Sequence, residues 1–439
     1  MAARRRIARI LAFVAMACAV IPTGVACASS ESRALIHVPD DVATLTEAAH
    51  LVDEDGMIVI GPGVYAEQLS IDTPGVTVRG ESRNDTIIDG GGIRPYGVVV
   101  TADGVRVENL TVHSATFYGV LFTGLHDESG PSAPTADGYR RWDPTVFPPL
   151  ERFLVDHVTA YNNGLYGIYA FNARHGVIRD SYASGSADSG FYVGQCVECD
   201  ILVTGNVAER NAVGFENANA SDSLMVAGNR FSDNRVGVAI LSSYQEAFTP
   251  QRGTTVVGNL ISNNASDDSP AHAEGGFGIG IGLAGGQDNT FSENRVAGHP
   301  RAGIVLSNTE DIPTADNSFV DTVFDDNAID VADVSASRTP AVGNCVESGD
   351  PLTSAPASLA RELHAACADA TTTQSAVASL DDPAAPVGVS FLRVAPPRPQ
   401  PNLRARDSYP PLPARITLPD AAQFPAPSSG FLADRIGTR

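Results

Sequence analysis

The stretch that decides the fold is Gly167-Ile168-Tyr169-Ala170-Phe171, because its pattern of a glycine followed by alternating apolar residues recurs along the chain. The next copies begin 23, 24 and 23 residues after one another, at Gly190-Phe191-Tyr192-Val193, Gly214-Phe215-Glu216 and Gly237-Val238-Ala239-Ile240. The series extends to Gly119, Gly278 and Gly303. In a second series an asparagine precedes a short strand, at Asn206, Asn229, Asn259, Asn294 and Asn317. The first two of these asparagines are 23 residues apart, and so are the last two.

A repeat of about 23 residues that holds three short strands, with Gly or Asn at the bends, is typical of one coil of a parallel β-helix. One coil cannot bury its own apolar face, so stacked coils supply the core and parallel hydrogen bonds join them. The asparagines tolerate left-handed backbone and can bond their amides along the stack, so we expect them to be structural. The alternation predicts these inward side chains: Ile168, Ala170, Phe191, Val193, Phe215, Val238 and Ile240.

The chain resembles a known family in three segments, which read MIVIGPGVY (57–65), YNNGLYGIYAF (161–171) and SYASGSADSGFYVGQC (181–196). These are similar to exported bacterial right-handed parallel β-helix repeat proteins of the pectate-lyase-like superfamily, relatives of the periplasmic NosD-type helix. The resemblance covers roughly residues 35–340. It implies an all-β fold, a single-stranded right-handed parallel β-helix of about 10 coils. Members of that family are mostly of unassigned function, so it implies no particular activity.

Residues 1–27 are typical of an export leader, with Arg4-Arg5-Arg6 followed by an apolar run over 7–21 and then small residues. The run is too short for a lasting transmembrane span, which needs about 20 apolar residues. Ala26-Cys27-Ala28 fits ordinary secretion, whereas Gly24-Val25-Ala26-Cys27 resembles a bacterial lipobox that would leave Cys27 lipidated. Either alternative predicts a mature protein outside the cytoplasm, with a lipid anchor as its only membrane contact.

The rest of the chain divides into three parts. Residues 35–340 hold the β-helix, which we expect to open with a helical cap at 42–52. Residues 341–372 are expected to form a C-terminal cap with a helix at 356–368 and a disulfide. Residues 373–439 form a Pro-rich extended tail, either loose or laid along the outside of the stack.

Six cysteines are present, and two of them lie in the leader. Local pairing of the other four, Cys196 with Cys199 and Cys345 with Cys367, is the simplest of three connectivities. A zinc site would need two more thiols or imidazoles at suitable spacing, and none is near, so we predict no metal site.

The charge balance excludes several functions. The 439 residues include no lysine, so all 29 basic residues are arginines, against 51 acids and a formal charge of −22. Chemistry that needs a lysine is therefore excluded. Because such a surface repels phosphate backbones, nucleic acid is not an expected partner. We expect a monomer.

Function on a β-helix is carried by outward-facing residues and by loops that interrupt the coils. Three interruptions, at 123–153, 242–253 and 264–276, adjoin Gly-led strands and are expected on one side of the stack. The first contains His126, Arg140, Arg141 and Trp142. The outward residues of the same sheet are predicted to be Tyr169, Phe171, Tyr192, Gln195 and Glu216.

This aromatic and acidic set predicts a polysaccharide or envelope glycan as ligand. Aromatic faces pack on sugar rings, carboxylates and amides bind hydroxyls, and arginine forks bind uronates, which favours a uronic-acid polymer. In the alternative interpretation, the aromatic side chains only pack beneath the loops.

Asp188, Tyr192 and Glu216 are the candidate catalytic residues, because lyase, epimerase and hydrolase chemistry needs an acid, a base and charge neutralisation. Asp188 and Glu216 could also hold Ca²⁺, although no cofactor is required. The chain lacks the Asp-Pro-His-Asp motif of epimerases and the Gly-His-Gly and paired-Asp motifs of polygalacturonases. Catalysis therefore stays open beside three alternatives: a non-catalytic glycan binder, a rigid surface scaffold and NosD-like copper handling. Copper handling is disfavoured because the histidines are scattered along the chain and the methionines are few.

Overall fold

The computed structural model describes residues 32–131, 143–347, 351–381 and 383–437. The first strands are β1 (Arg33–Val38), β2 (Val52–Ile60), β3 (Gly63–Tyr65), β4 (Leu69–Ile71), β5 (Thr77–Gly80), β6 (Thr86–Asp89), β7 (Tyr96–Val100), β8 (Val105–Glu108), β9 (Thr111–His113), β10 (Tyr118–Thr123), β11 (His126–Asp127) and β12 (Gly130–Pro131). The central strands are β13 (Leu150–Asp156), β14 (Thr159–Tyr161), β15 (Ile168–Phe171), β16 (Ala173–Arg179), β17 (Tyr182–Ser184), β18 (Ser189–Val197), β19 (Ile201–Thr204), β20 (Val207–Glu209), β21 (Val213–Ser221), β22 (Leu224–Ala227), β23 (Arg230–Ser232) and β24 (Val236–Leu241). The last strands are β25 (Thr254–Val257), β26 (Leu260–Ser262), β27 (Ile279–Ala284), β28 (Thr290–Ser292), β29 (Arg295–Ala297), β30 (Ala302–Ser307), β31 (Ser318–Val320), β32 (Val323–Asp325), β33 (Val331–Asp333), β34 (Cys345–Glu347) and β35 (Ser354–Ala355).

Three long sheets are built by adding one strand per sheet with each turn of the chain. Sheet A has twelve strands in the order β1-β2-β5-β8-β13-β16-β19-β22-β25-β28-β31-β34. Sheet B has ten, from β3 and β6 to β32, and sheet C has eleven, from β4 and β7 to β35. Neighbouring strands in all three run parallel, as for β15 with β18 and β18 with β21. The predicted right-handed parallel β-helix of about 10 coils is therefore confirmed.

The register of sheet C stacks the predicted inward residues. Ile168 pairs with Phe191, Phe191 with Phe215, and Phe215 with Val238. All seven side chains predicted to point inward are buried in the main apolar cluster, which confirms the alternation.

The recurring glycine has a steric cause. A Cβ atom on Gly214 would lie 2.5 Å from the carbonyl oxygen of Gly237 and 2.9 Å from Nδ2 of Asn234, so only glycine fits. In the eighth coil this position belongs to Gly280, because Val236 pairs with Ile279. The prediction of Gly278 was wrong by two residues, since Gly278 instead adopts left-handed backbone (φ +74°) where the 264–276 interruption ends.

The asparagines form ladders of buried side chains along the stack. Nδ2 of Asn206 donates to Oδ1 of Asn229 (3.0 Å), and the contact repeats from Asn229 to Asn259 (2.9 Å) and from Asn259 to Asn294 (3.0 Å). Asn317 does not continue this ladder; it donates to Asn344 (2.7 Å) in a separate one. Although Asn294 and Asn317 are 23 residues apart, the first precedes a strand of sheet B and the second a strand of sheet A, so the equal spacing is coincidental.

Helices lie at both ends of the stack. Helix α1 (Leu45–Leu51) lies within the predicted cap, and Thr44 accepts a hydrogen bond from the Glu47 amide at its N-terminus. Helix α2 (Leu359–Ala366) buries Leu359 and Leu363 against the last coils. Short 3₁₀ turns cover Phe391–Arg393, Ala421–Gln423 and Ala433–Arg435. No helix in the described ranges is both long and apolar enough to cross a bilayer.

The cysteines pair as predicted, Cys196 with Cys199 and Cys345 with Cys367. The second disulfide joins β34 to the end of α2, so it ties the C-terminal helix to the stack.

Of the two alternatives for the Pro-rich tail, the described part lies along the outside of the stack. Because proline lacks an amide hydrogen, much of this contact is made by tail carbonyls that accept from arginines of the coils. Nη1 of the buried Arg83 donates to the Pro401 carbonyl (3.1 Å), and Nη1 of Arg230 donates to that of Phe431 (2.8 Å). In the reverse direction, Nη2 of Arg435 in the tail donates to the Ser181 carbonyl (2.9 Å).

Candidate functional site

The outer side of sheet C carries the predicted stripe. Tyr169, Tyr192 and Glu216 are register partners on β15, β18 and β21, and we call the outer face around them the loop face. Tyr169 and Tyr192 belong to an apolar cluster that is separate from the core, together with Phe171. Their exposed fractions are 2% and 3%, so these tyrosines are covered and cannot receive a ligand without a movement of the cover.

The covered tyrosines contact one another edge to face. The ring centroids of Tyr169 and Tyr192 are 4.9 Å apart at an interplanar angle of 87°, and Tyr166 lies 4.5 Å from Tyr192. This geometry is favourable for aromatic packing. It supports the alternative interpretation, packing beneath the loops, for these residues.

Amide side chains at the edge of sheet C hold the loops in place. Asn172, Gln195 and Asn219 adopt left-handed backbone (φ 50°, 48° and 50°) in successive coils. Oε1 of Gln195 accepts from the Ala247 amide (3.0 Å), and Nδ2 of Asn219 donates to the Ser243 carbonyl (2.7 Å). Gln195, predicted to bind substrate, is buried and anchors the 242–253 loop.

The 242–253 loop brings Glu246 over the tyrosines. The Tyr192 hydroxyl donates to Oε1 of Glu246 (2.5 Å), while Oε2 is buried without a hydrogen-bond partner. Burial raises the pKa of Glu246 to about 8, against the opposing effect of the Tyr192 hydrogen bond. This carboxyl is therefore mostly protonated at neutral pH.

The 264–276 loop completes a second group, which we call the acid cluster: Asp188, Ser189, Glu216 and His272. Donor atoms of Asp188, Glu216 and His272 lie within 4.8 Å of one another. Nε2 of His272 is 3.2 Å from Oδ1 of Asp188, and the Ser189 hydroxyl contacts both carboxylates. The side chains of Asp188 and His272 keep 17% and 15% exposure, so they form the accessible edge of the cluster.

The acid cluster perturbs the protonation of its members. Burial and then the charge of Asp188 raise the pKa of Glu216 well above its usual range. Burial by itself lowers the pKa of His272, but the hydrogen bond and charge of Asp188, together with Glu216, outweigh it and raise this pKa to about 9. At neutral pH the cluster therefore presents a protonated imidazole beside a carboxyl that holds its proton.

The structure brings together the three candidate catalytic residues. Tyr192 and Glu216 are register partners, and Ser189 joins Asp188 to Glu216. His126 belongs to a different element, the antiparallel β11–β12 hairpin, where it pairs with Pro131. Three of the predicted substrate-binding residues, Arg140, Arg141 and Trp142, and the proposed lipidation site Cys27 lie outside the described residues.

Sequence reasoning missed His272 and Glu246. Both lie in the interruptions of the coils that the repeat reveals. The available signal was that Glu246 is the single acid of 242–253 and His272 the single imidazole of 264–276. Their positions over Asp188 and Tyr192 depend on how each loop folds back, which the repeat does not encode.

Comparison with known proteins identifies the family. The family model described as periplasmic copper-binding protein (NosD) matches residues 50–271, just over half of the chain. The chain belongs to the NosD family. No curated protein matches this NosD-family chain significantly.

Solved structures similar to this NosD-family chain are parallel β-helix proteins. The mannuronan C-5 epimerase AlgE4 A-module of Azotobacter vinelandii is 15% identical, with 71% of this chain and 93% of that chain covered and a TM-score of 0.43. Pectin methylesterase PemA from Erwinia chrysanthemi is 12% identical (61% and 80% covered, TM-score 0.32), and pectate lyase Pel9A is 13% identical (67% and 78%, TM-score 0.38). At these identities the similarity concerns the fold alone.

The family description names copper, which proteins hold with imidazole, thiolate and thioether ligands. In the described ranges, three groups of His, Cys, Asp and Glu bring three donor atoms within 4.8 Å. One contains Cys345 and Cys367, which are oxidised to a disulfide. In another, Asp156 is bound by Arg179 and Arg406 (2.7 Å each), and the third, the acid cluster, has a single imidazole. These donor sets do not fit copper.

We therefore expect the purified protein to retain well under one equivalent of copper after loading with Cu²⁺ and dialysis against a competing chelator. Elemental analysis measures the retained metal, with His272→Ala as the matched variant. One equivalent that survives dialysis in the wild type and is lost from His272→Ala would contradict this expectation.

Proposed function

We propose that this NosD-family chain binds polysaccharide outside the cytoplasm, along a line that runs from Phe117 to the acid cluster. The observation that carries the proposal is the stacking of the connections between sheets B and C. The Leu165 amide donates to the Phe117 carbonyl (2.8 Å), and the Asp188 amide donates to the Leu165 carbonyl (3.2 Å). Phe117 and Asp188 therefore lie two coils apart, about 10 Å, since neighbouring parallel strands are about 4.8 Å apart.

The chemistry of this line suits a sugar chain. Phe117 is 42% exposed beside the Tyr96 and Tyr118 rings, and an exposed aromatic ring can pack on the C–H surface of a sugar. Asp188 supplies acceptors for hydroxyl groups and His272 supplies a charged donor. Phe117 takes the role that sequence analysis gave to the covered Tyr169 and Phe171.

The charge of the acid cluster determines whether a neutral or an acidic polysaccharide binds there more favourably. The preference for uronates inferred from sequence rested on Arg140 and Arg141, which lie outside the described residues. In the described site the carboxyl groups of Asp188 and Glu216 face a single imidazolium. We therefore propose that this site binds a neutral polysaccharide more tightly than a uronate polymer.

Acid–base processing of the bound polymer is a second candidate function. It is favoured by the raised pKa of Glu216 beside Asp188, because glycoside chemistry uses one carboxyl that holds a proton and a second that does not. Glu216 would be the proton donor and Asp188 the base or nucleophile. We assign no catalytic role to Tyr192, whose hydroxyl is buried against Glu246. We propose no Ca²⁺ requirement, since Glu216 holds its proton at neutral pH and the positive charge of His272 already faces Asp188.

Replacing Phe117 with alanine should weaken glycan binding about tenfold, because an aromatic contact contributes roughly 1 to 1.5 kcal/mol. Asp188→Asn should weaken it further, since it removes the charge that holds His272. Isothermal titration of the full chain with neutral and uronate oligosaccharides measures both effects, and release of reducing ends or ultraviolet-absorbing products tests turnover.

Val64→Ala is the matched control, because Val64 is 65% exposed on β3 of sheet B, away from the site. It should bind like the wild type. Absence of binding to every oligosaccharide, or equal affinity of Phe117→Ala and the control, would remove the proposal and leave the surface scaffold as the alternative.

The extracytoplasmic location is supported by the periplasmic family description and by two disulfides, which persist in oxidising compartments. Anchoring through Cys27 and the monomeric state stay predictions.

A further inference from the structure

A cleft that is partly open to solvent lies between the outer side of sheet A and the C-terminal tail. It has a volume of about 270 Å³. Apolar side chains from both partners line it: Leu154 and Val177 come from β13 and β16, and Leu412, Pro413 and Ile416 come from the tail. We call it the tail cavity.

Arg106 gives the tail cavity a charged group. This side chain lines the cavity, and the residue is only 5% exposed. Its Nη1 reaches Oγ1 of Thr77 (3.4 Å) and its Nη2 reaches the Pro410 carbonyl, while its Nε is buried without a hydrogen-bond partner. A buried guanidinium with an unused donor is costly unless an acceptor completes it.

Arginines outnumber the carboxylates that bind them beneath the tail. Arg79 binds Glu108 (2.6 Å), and Arg179 and Arg406 both bind Asp156 (2.7 Å each). Arg106 makes no hydrogen bond to either carboxylate, so four arginines meet two buried acids. In a chain of formal charge −22, this local excess of positive charge is unusual and is directed at a mostly apolar space.

We propose that the tail cavity binds a small organic anion, a carboxylate on an apolar body, with the carboxylate at Arg106 and the body between Leu154, Val177 and Leu412. A guanidinium binds a carboxylate in a fork geometry, and the apolar walls bury the rest of the ligand. The volume lies between a cavity that holds benzene, about 150 Å³, and the smallest drug-sized pockets, about 300 Å³, so it suits an anion of about ten non-hydrogen atoms. The tail forms one wall of the cleft, and its Pro413 is exposed to solvent.

Octanoate is the probe and octanol its uncharged counterpart, both applied to the full chain. We expect octanoate to raise the thermal midpoint and to give a saturable isotherm, while octanol does neither. Arg106→Gln should weaken octanoate binding about 10- to 100-fold, since it replaces a charge-assisted contact by a neutral one. Arg361→Gln, which changes an exposed arginine of α2, is the matched control and should bind normally.

A second variant keeps the test decisive if Arg106→Gln does not fold. Leu412→Trp leaves the arginine network in place and fills the cavity from the tail, so it should abolish binding in a folded protein. Octanoate that fails to bind the wild type, or that binds Leu412→Trp or a folded Arg106→Gln as tightly as Arg361→Gln, would overturn the proposal. Glycan binding at the loop face is independent of either outcome.

Discussion

Replacing Asn234 with alanine should lower the free energy of unfolding by about 4 kcal/mol, because it cuts a buried ladder of amides in the middle of the stack. Nδ2 of Asn234 donates to the Ala208 carbonyl (3.0 Å) and to Oδ1 of Asn264 (3.2 Å). Its Oδ1 accepts from both the backbone amide and the side-chain amide of Asn211 (3.0 Å each). The variant would leave these groups buried and unpaired, at about 1 to 3 kcal/mol for each uncompensated group.

Asn234→Asp separates hydrogen bonding from packing. Aspartate has nearly the same shape, but it places an oxygen where Nδ2 donates, facing the Ala208 carbonyl and Oδ1 of Asn264. If the ladder stabilises through hydrogen bonds, this variant is at least as destabilising as Asn234→Ala in urea unfolding. A near-neutral Asn234→Asp would contradict the explanation.

The control for both variants is Gln245→Ala, which removes an exposed amide from the 242–253 loop. Exposed substitutions of this kind change stability by about 0.5 kcal/mol or less. A comparable loss in the control would indicate that the measured effect is not specific to the ladder.

When the pH falls from 7 to 4, the contribution of His299 to the free energy of unfolding should decrease by about 3 kcal/mol. His299 is fully buried in the same ladder, where Nε2 lies 3.1 Å from Nδ2 of Asn264 and Nδ1 lies 2.8 Å from Oδ1 of Asn327. Both contacts are satisfied by a neutral ring that accepts at Nε2 and donates at Nδ1. Burial lowers its pKa from 6.5 to about 4, despite the hydrogen bond to Asn327.

The sign follows from proton linkage. Between pH 6.5 and 4 the unfolded chain binds a proton at His299 and the folded chain does not, so the folded state loses stability as the pH falls through this window. Glu216 and Glu246 act in the opposite direction, because their raised pKa values make the folded state the stronger proton binder. The wild-type profile therefore contains both effects.

His299→Asn separates the titration of His299 from its hydrogen bonding. The asparagine amide can continue the ladder that contains Asn234 and Asn264, but it does not titrate. Urea unfolding at several pH values should give a difference between wild type and variant that shrinks or reverses toward pH 4. A difference that stays constant from pH 7 to 4 would show that His299 does not titrate as argued. His364→Asn on α2 provides the matched control, since that histidine is exposed.

The sequence predicted the coil well for a local reason. The alternation of Phe191, Tyr192 and Val193 determines which side chains point inward once the strand is extended, and the glycine of each repeat marks where backbone and Asn side chain approach too closely for a Cβ. The same local logic failed at Gly278 and Asn317. At Gly278 an interruption of the coil shifts the register, and at Asn317 the same spacing of 23 residues leads to a different corner of the coil. The spacing alone therefore does not show which corner a residue occupies.

The candidate site was predicted only in part. Asp188 and Glu216 were accessible to sequence reasoning because Asp188 precedes one Gly-led strand and Glu216 lies in the next one. The register pairs Glu216 with Tyr192, so the contact with Asp188 through Ser189 was not accessible. The exposure of the neighbouring tyrosines was not accessible, since alternation distinguishes inner from outer faces and does not say whether an outer face is covered.

The amino-acid sequence by itself determined the repeating coil, its inward residues and the acidic character of the protein, and it favoured the observed disulfide pairing, because each depends on near neighbours, spacing or composition. Tertiary structure alone decided that Glu246 and His272 close over the loop face and where the tail lies along the outside of the coils. Those contacts join residues dozens to hundreds of positions apart, and their free energy comes from burial and ion pairing that exist only after the coils have stacked.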